Sequence, residues 1–173
     1  FFDKRSKFIH YRPKILVLNN LEFDHGDIFR DLEDISRSFS HLLRIVPSDG
    51  YVLTNGDDPN LLALPPAPWT RMIKVGVGEA NDLQIAGFEE DGQGTRFTLQ
   101  WKGEEVMQVD WAMPGLFNAR NLAMATLASV LSQHLAKGEK LETESFTPFT
   151  SLTLPDFSTC SGVKRRQEIL LDR

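Results

Sequence analysis

Short apolar runs alternate with polar loops over the first third of the chain. Residues 14–18 and 50–54 each hold several consecutive apolar residues that include β-branched members. Runs of this length are typical of strands that are covered on both faces, as in parallel sheets. Between them, apolar residues recur at helical spacing from Ile28 to Leu43, and Asp27 is a candidate cap for that helix. The repeat of strand, loop and helix predicts a parallel sheet.

The hydrophobic period changes to two from residue 71 onward. Alternating segments at 72–77, 83–88, 97–101 and 107–111 surround turn signals at Asp91-Gly92 and Lys102-Gly103. This pattern predicts a small antiparallel β subdomain over about residues 71–112. A helix is expected over residues 118–134, with Gly138 as its stop, and residues 141–160 are expected to be irregular. Residues 7–11 have the composition of a further strand.

These elements together predict an α/β fold with a mostly parallel sheet flanked by helices. A short helix is expected near residues 59–62, after the turn at residues 55–59. The connector at residues 65–68 is proline-rich but is followed at once by apolar structure, so we expect it to be stiff.

Composition narrows the class of function. The chain has 173 residues, 41% of them hydrophobic, and a formal charge of −5, so it can bury a core but lacks the basic surface that general nucleic-acid binding needs. Its one cysteine, Cys160, rules out an internal disulfide framework and agrees with a reducing compartment. No apolar run approaches the length of a membrane helix. We therefore expect a cytoplasmic protein that contacts neither nucleic acid nor membrane.

The loop after the first buried strand carries the strongest candidate chemistry. Residues 19–27 hold two asparagines, the carboxylates of Glu22, Asp24 and Asp27, and the imidazole of His25. Ligands of open α/β sheets collect beyond the carboxyl ends of such strands, and these side chains suit a divalent cation and its phosphates. The alternative is a plain polar loop in which Asp27 caps the next helix.

Two further groups of residues have both an ordinary and a functional interpretation. Asn118 and Asn121 are three apart and share a helix face, where their amides could read the edge of a planar base, although Asn118 could equally be an N-cap. Arg165 and Arg166 could bind a terminal phosphate or form a solvated charge run. The turn at residues 55–58 is expected to be structural. No phosphate-cradling G-x-x-x-x-G-K-[ST] loop occurs.

Taken in order, these segments resemble the Mur ligases, the ATP-dependent amide ligases of peptidoglycan synthesis. The Asn20-x-x-x-Asp24-His25 segment is similar to the family's motif at a strand end. The resemblance implies that these three residues are catalytic and that His25 helps to hold Mg²⁺ beside the γ-phosphate of ATP.

Two later segments extend the resemblance. Residues 114–121 resemble the family's P-G-x-H-N-x-x-N segment, which implies that Asn118 and Asn121 meet the adenine; Phe117 stands where the family usually has histidine. Residues 162–166 resemble the junction with the family's third domain, which implies that Arg165 or Arg166 lies near the phosphates.

The resemblance further implies a domain assignment and a reaction. Residues 1–162 would form part of a central ATP-binding domain, and residues 163–173 a stub that leads into a C-terminal domain. We expect a fragment that is inactive alone, with the family's P-loop and N-terminal domain upstream. The opening residues are closest to the murein-recycling branch, whose substrates are UDP-N-acetylmuramate and the tripeptide L-alanyl-γ-D-glutamyl-meso-diaminopimelate. The alternatives are a branch that adds L-alanine, a folate-type glutamate ligase, and a non-catalytic domain of this fold.

Overall fold

The computed structural model describes residues 7–24, 26, 28–138 and 148–149, and in it six strands form one sheet. The strands, in chain order and in order across the sheet, are β1 (Ile15–Leu18), β2 (Tyr51–Asn55), β3 (Arg71–Gly76), β4 (Leu83–Asp91), β5 (Gly94–Trp101) and β6 (Glu104–Trp111). The helices are α1 (Leu32–Arg44), α2 (Pro59–Leu62) and α3 (Leu116–Ala136). The predicted α/β class is confirmed.

The sheet has a parallel half and an antiparallel half. Strands β1 to β4 pair in parallel, whereas β5 is antiparallel to both β4 and β6. The prediction that the antiparallel region begins near residue 71 was wrong, because β3 is parallel to both of its neighbours. Its alternating pattern arises because residues such as Ile73 and Val75 are buried while Met72 and Lys74 are exposed. The alternating pattern of β3 therefore indicates that only one of its faces is buried, and it does not indicate the direction of the strand.

Helices lie on both faces of the sheet at β2, all five residues of which are buried. On one face, α1 and α2 pack on Leu16, Leu18 and Val52 in one apolar cluster. On the other, α3 packs on Leu53 and on apolar residues of every later strand. Helix α3 is apolar on most of its circumference and buries ten of its residues, as expected of a helix that is central to a core. Because its cluster includes both halves, the sheet has a shared core on this face.

Three local predictions need correction. Residues Lys7–His10 form a 3-10 helix, not a strand. Helix α1 begins later than expected: Asp31 is its N-cap and accepts a hydrogen bond from the backbone N–H of Asp34, and Asp27 lies outside the described residues. Helix α3 begins at Leu116, with Gly115 as its N-cap, so Asn118 lies inside the first turn. The expected stop at Gly138 is confirmed, since this residue has φ 69° and its N–H donates to Leu135 O.

None of the helices in the described part of the chain has the length and apolar character required to cross a membrane.

Candidate functional site

The carboxyl ends of the first three strands place three polar loops side by side. Strand β1 is followed by Asn19, β2 leads into Gly56-Asp57-Asp58, and β3 leads into Val77-Gly78. In parallel sheets this edge is where ligands bind, because the loops that leave neighbouring strands meet there.

Side chains from the second loop hold the first loop in place. The backbone N–H of Leu21 donates to Asp58 Oδ2 at 2.8 Å, and Asn60 Nδ2 donates to Leu21 O at 2.8 Å. Asn55 Nδ2 donates to Asn19 O at 3.1 Å. Leu21 is itself buried between the loops. The loop after β1 is therefore supported on its inner side from β2 and α2.

A hydrogen bond joins this first loop to α3. Asn19 Nδ2 donates to Asn121 Oδ1, although the two residues are 102 positions apart in the sequence. Asn121 is exposed, so its Nδ2 can donate to a ligand. The structure thus brings the first residue of the loop after β1 and the start of the long helix to one place.

Asp57 connects the loops after β2 and β3. Its carboxylate accepts hydrogen bonds from the backbone N–H groups of Val77 at 2.7 Å and Gly78 at 3.1 Å, and from Asn81 Nδ2 at 3.0 Å. Arg120 Nη2, on α3, lies 3.4 Å from Asp57 Oδ2. Burial opposes ionisation of Asp57, but the backbone donors, the Asn81 amide and the Arg120 charge outweigh it, so the pKa of Asp57 lies below its usual value.

The packing around this carboxylate leaves no room for another side chain. A Cβ at Gly76 would lie 2.4 Å from Asp57 Oδ2, well inside van der Waals contact. Glycine is therefore required at the end of β3 for a steric reason, since the backbone must approach the carboxylate closely.

The start of α3 is also tied to the antiparallel half. Gly115 has φ 94°, a conformation that favours glycine, and its N–H donates to Glu90 Oε2 of β4 at 3.2 Å. Asn118 is 9% exposed, and its Nδ2 donates to Pro114 O at 2.6 Å. Phe117 is 43% exposed and its ring lies over Gly115. Asn118 therefore stabilises the turn that enters the helix, while Asn121 and Phe117 are accessible.

The other predicted site residues fall in two groups. Asn20 and Asp24 are exposed in the loop after β1, and Asn20 Nδ2 donates to Glu22 Oε1 at 2.7 Å. His25, Arg165 and Arg166 lie outside the described residues, as does the junction at residues 162–166. Their roles stay predictions.

The described residues on their own do not form a metal site. No group of three or more His, Cys, Asp or Glu side chains suited to a metal occurs within residues 7–24, 26, 28–138 and 148–149. The carboxylates of Glu22 and Asp24 do have the oxygen chemistry that Mg²⁺ prefers. A Mg²⁺ site in this loop would therefore need ligands beyond these two, and His25 is the predicted one.

Sequence reasoning missed two residues of this site, Asn81 and Arg120, and it placed Asn19 in the candidate loop without giving it a role of its own. The prediction that residues 55–58 build a turn is confirmed, since Asp57 N–H donates to Asn55 Oδ1 and Asp58 accepts from Asn60. That Asp57 also binds residues 20 or more positions away depends on strand order, which local patterns do not contain. Arg120 carried one usable signal, because it lies between the two asparagines singled out on α3.

Comparison with known proteins gives a consistent result. Residues 2–129 match the model of the Mur ligase middle domain. The chain is 42% identical over 130 residues to the UDP-N-acetylmuramate--L-alanyl-gamma-D-glutamyl-meso-2,6-diaminoheptandioate ligase of Escherichia coli K12, a match that covers 75% of this chain and 28% of that protein.

Solved structures agree with this match. The crystal structure of the UDP-N-acetylmuramate:L-alanyl-gamma-D-glutamyl-meso-diaminopimelate ligase from Neisseria meningitides superposes with a TM-score of 0.64 at 38% identity, over 78% of this chain and 40% of that one. The MurF ligase of Thermotoga maritima, solved in complex with ADP, has a TM-score of 0.56 at 20% identity, over 84% of this chain and 32% of that one, and shows the likeness of fold alone. The chain spans less than a third of the length of its E. coli relative.

Proposed function

Since the chain belongs to the Mur ligase family, with residues 2–129 in the middle domain, we propose that it forms part of the ATP site of a peptide ligase. The substrates of the intact protein are UDP-N-acetylmuramate and the tripeptide L-alanyl-γ-D-glutamyl-meso-diaminopimelate. The identity of 42% to an E. coli ligase of that name supports this choice of substrates. Such a protein acts in peptidoglycan recycling in the cytoplasm, a reducing compartment in which the thiol of Cys160 is expected to stay reduced.

The hydrogen bond between Asn19 and Asn121 carries the proposal. One nucleotide must reach the helix with its base and the strand-end loop with its phosphates, so these two segments have to be neighbours. In the proposed site Asn121 donates to the base, while Asn118 shapes the turn from which the helix starts. The family resemblance adds Asp24, His25 and Asn20 on the phosphate side.

The proposed reaction proceeds through an acyl phosphate. The γ-phosphoryl group of ATP is transferred to the carboxylate of UDP-N-acetylmuramate, and ADP leaves. The amine of the tripeptide then attacks the acyl carbon, phosphate leaves, and the amine loses a proton as the amide forms. Mg²⁺ would offset the charge of the phosphoryl group during its transfer.

Positive charge along the triphosphate is the main electrostatic demand of this reaction. We propose that His25 would hold the cation through a neutral imidazole nitrogen, and that a nearby carboxylate such as Asp24 would fix its tautomer. Arg165 or Arg166 supplies a guanidinium beside the phosphates. Residues 1–162 would then act within the ATP-binding domain, and residues 163–173 would lead into the next domain.

Substitution of His25 in the intact protein tests the metal assignment. We expect His25→Ala to lower Mg²⁺- and ATP-dependent ligation by about two orders of magnitude or more, with little change in thermal stability, because the residue acts on the transition state. Ligation is measured as ADP release that requires both substrates. Undiminished turnover would remove His25 from the metal site.

Comparison of amine substrates tests the choice of reaction. We expect the intact protein to use the tripeptide far better than L-alanine or a folate-linked glutamate. Preference for L-alanine or the folate substrate would assign it to another ligase of this fold. Absence of ATP turnover with all three would support a non-catalytic domain.

A further inference from the structure

We propose that Arg120 is a positioning residue, whose pairing with Asp57 sets the orientation in which α3 presents Asn121 to the nucleotide. This inference rests on the proposed ATP site. It concerns a residue that contacts the loops of the sheet, not the nucleotide.

The pair is enclosed, unlike an ordinary surface ion pair. The side chains of Arg120 and Asp57 are only 21% and 19% exposed. Arg120 Nε is buried and has no hydrogen-bond partner among the described residues, so Asp57 is the counter-charge that the structure provides for this guanidinium. A charge that is removed from water in this way depends on its partner, and its position is restricted accordingly.

Asp57 is also held in place by groups other than Arg120. Three donors, the N–H groups of Val77 and Gly78 and the amide of Asn81, hold the carboxylate from the side of the β3 loop. The close approach of Gly76 prevents the carboxylate from moving toward the strand. Arg120 is therefore tethered to a rigid point on the sheet.

Two tethers on consecutive residues fix the rotation of a helix. Successive residues of an α-helix lie 100° apart around its axis. Arg120 reaches the loop after β2, and Asn121 reaches Asn19 after β1. A helix held at both positions cannot turn about its axis without breaking one of them. Packing of α3 on the sheet would remain without the Arg120 tether, but one of the two side-chain contacts that set the orientation of its first turns would be lost, and the Asn121 amide would spend less time in the orientation that binds the base.

Steady-state kinetics of the full-length protein test this role. We compare Arg120→Met, which keeps the length of the side chain and removes its charge, with Arg120→Lys, which keeps the charge. Arg96→Met is the matched control, because Arg96 pairs with Asp91 in the β4–β5 hairpin, with side chains 52% and 44% exposed. Asp57 retains its other three donors in the Arg120 variants, so the loop after β3 is expected to stay formed.

The expected result is a change in KM without a matching change in kcat. Arg120→Met should raise the KM for ATP by about three- to tenfold while kcat stays within about twofold, since ground-state and transition-state binding of the base are weakened equally. Arg120→Lys should recover part of this loss, and Arg96→Met should match the wild type. An unchanged KM, or a lower kcat at unchanged KM as expected from partial unfolding, would overturn the proposal.

A double-mutant cycle separates positioning from general destabilisation. If Arg120 acts through Asn121, then Arg120→Met should have little effect on the KM for ATP when Asn121 is already alanine. Effects that simply multiply would overturn the proposal. A wild-type protein that neither binds nor hydrolyses ATP would instead refute the proposed function, so the two failures are distinguishable.

Discussion

The two halves of the sheet use polar side chains in different ways. At the carboxyl edge of β1 to β3, side-chain amides and carboxylates bind the backbone of neighbouring loops, and the Asp57–Arg120 pair is about four-fifths buried. In the hairpins of β4 to β6, the comparable Asp91–Arg96 pair is about half exposed. Buried polar groups must find partners within the protein, so they fix the positions of the loops that they join. Ion pairs that are exposed to water restrict these positions little.

Both halves of the sheet contribute to the core beneath α3. Leu53 of β2 and Leu99 of β5 are both fully buried in the cluster beneath α3. The antiparallel half therefore supports α3, the helix that carries Asn121. Glu90, which accepts from Gly115 N–H, extends this support to the first turn of the helix.

The largest expected effect concerns this shared core. Leu53→Ala and Leu99→Ala should each lower the free energy of unfolding by about 2–5 kcal/mol, because both remove a fully buried side chain and leave a cavity. Amide hydrogen exchange of α3 in the intact protein measures the loss. If protection of α3 fell only for Leu53→Ala, the antiparallel half would not share the core.

The next effect separates the two halves by steric fit. Gly76→Ala should lower the free energy of unfolding by about 1–3 kcal/mol, since its Cβ would overlap the Asp57 carboxylate. Gly92→Ala, in the β4–β5 turn, is the matched control: a Cβ there would meet nothing within 4 Å, so we expect a change within about 0.5 kcal/mol.

Hydrogen exchange at the loop after β3 measures both glycine variants. Equal protection in Gly76→Ala and Gly92→Ala would contradict the close packing at the carboxyl edge.

A smaller effect is expected from pH. The pKa of Asp57 is lowered in the folded state, so the carboxylate stabilises the fold above its unfolded pKa of about 3.9, and this contribution is lost as the pH falls through the folded pKa. Asp57→Asn should therefore lower stability at neutral pH and flatten its decline below about pH 4.

Urea unfolding across this pH range checks the expectation. Asp91→Asn is the control: the pKa of Asp91 is lowered by the Gln93 N–H and by Arg96, but both contacts are at the surface. Added salt should reduce the loss of stability caused by Asp91→Asn, because salt screens the exposed Asp91–Arg96 ion pair. The loss caused by Asp57→Asn should change less. Identical salt dependence of stability for the two variants would show that Asp57 is as accessible to solvent and ions as Asp91.

The smallest effect is expected for Arg96→Met. Exposed ion pairs contribute about 0–1 kcal/mol, so thermal unfolding should shift little. A shift as large as that of Arg120→Met would remove the distinction between the buried and exposed pairs.

Much of the fold could be predicted from apolar periodicity. The segments that became β1 and β2 contain consecutive apolar residues at 15–18 and 51–53, and α3 is long and strongly apolar, so their types were predicted correctly. Strand β3 was misassigned because helix α1 does not cover its second face, and one-sided burial in a parallel strand looks the same in sequence as an antiparallel strand.

The candidate site could be predicted in part. Asn121 and the loop after β1 were predicted because their residue types suit a nucleotide and its cation, and the structure places Asn19 of that loop against Asn121. The Asp57–Arg120 pair was missed because its partners are 63 positions apart and meet only once the strands are in order. Local spacing and the family resemblance predicted which residues would bind the nucleotide, whereas the contacts that support those residues depend on tertiary structure.

The proposed ATP site is best tested by a crystal structure of the intact protein with Mg²⁺ and a non-hydrolysable ATP analogue. We expect the base within hydrogen-bond distance of Asn121 Nδ2, the phosphates beyond the end of β1, and the cation bound by His25. A nucleotide bound away from the carboxyl edge of β1 to β3, or a base with no contact to α3, would contradict the proposal.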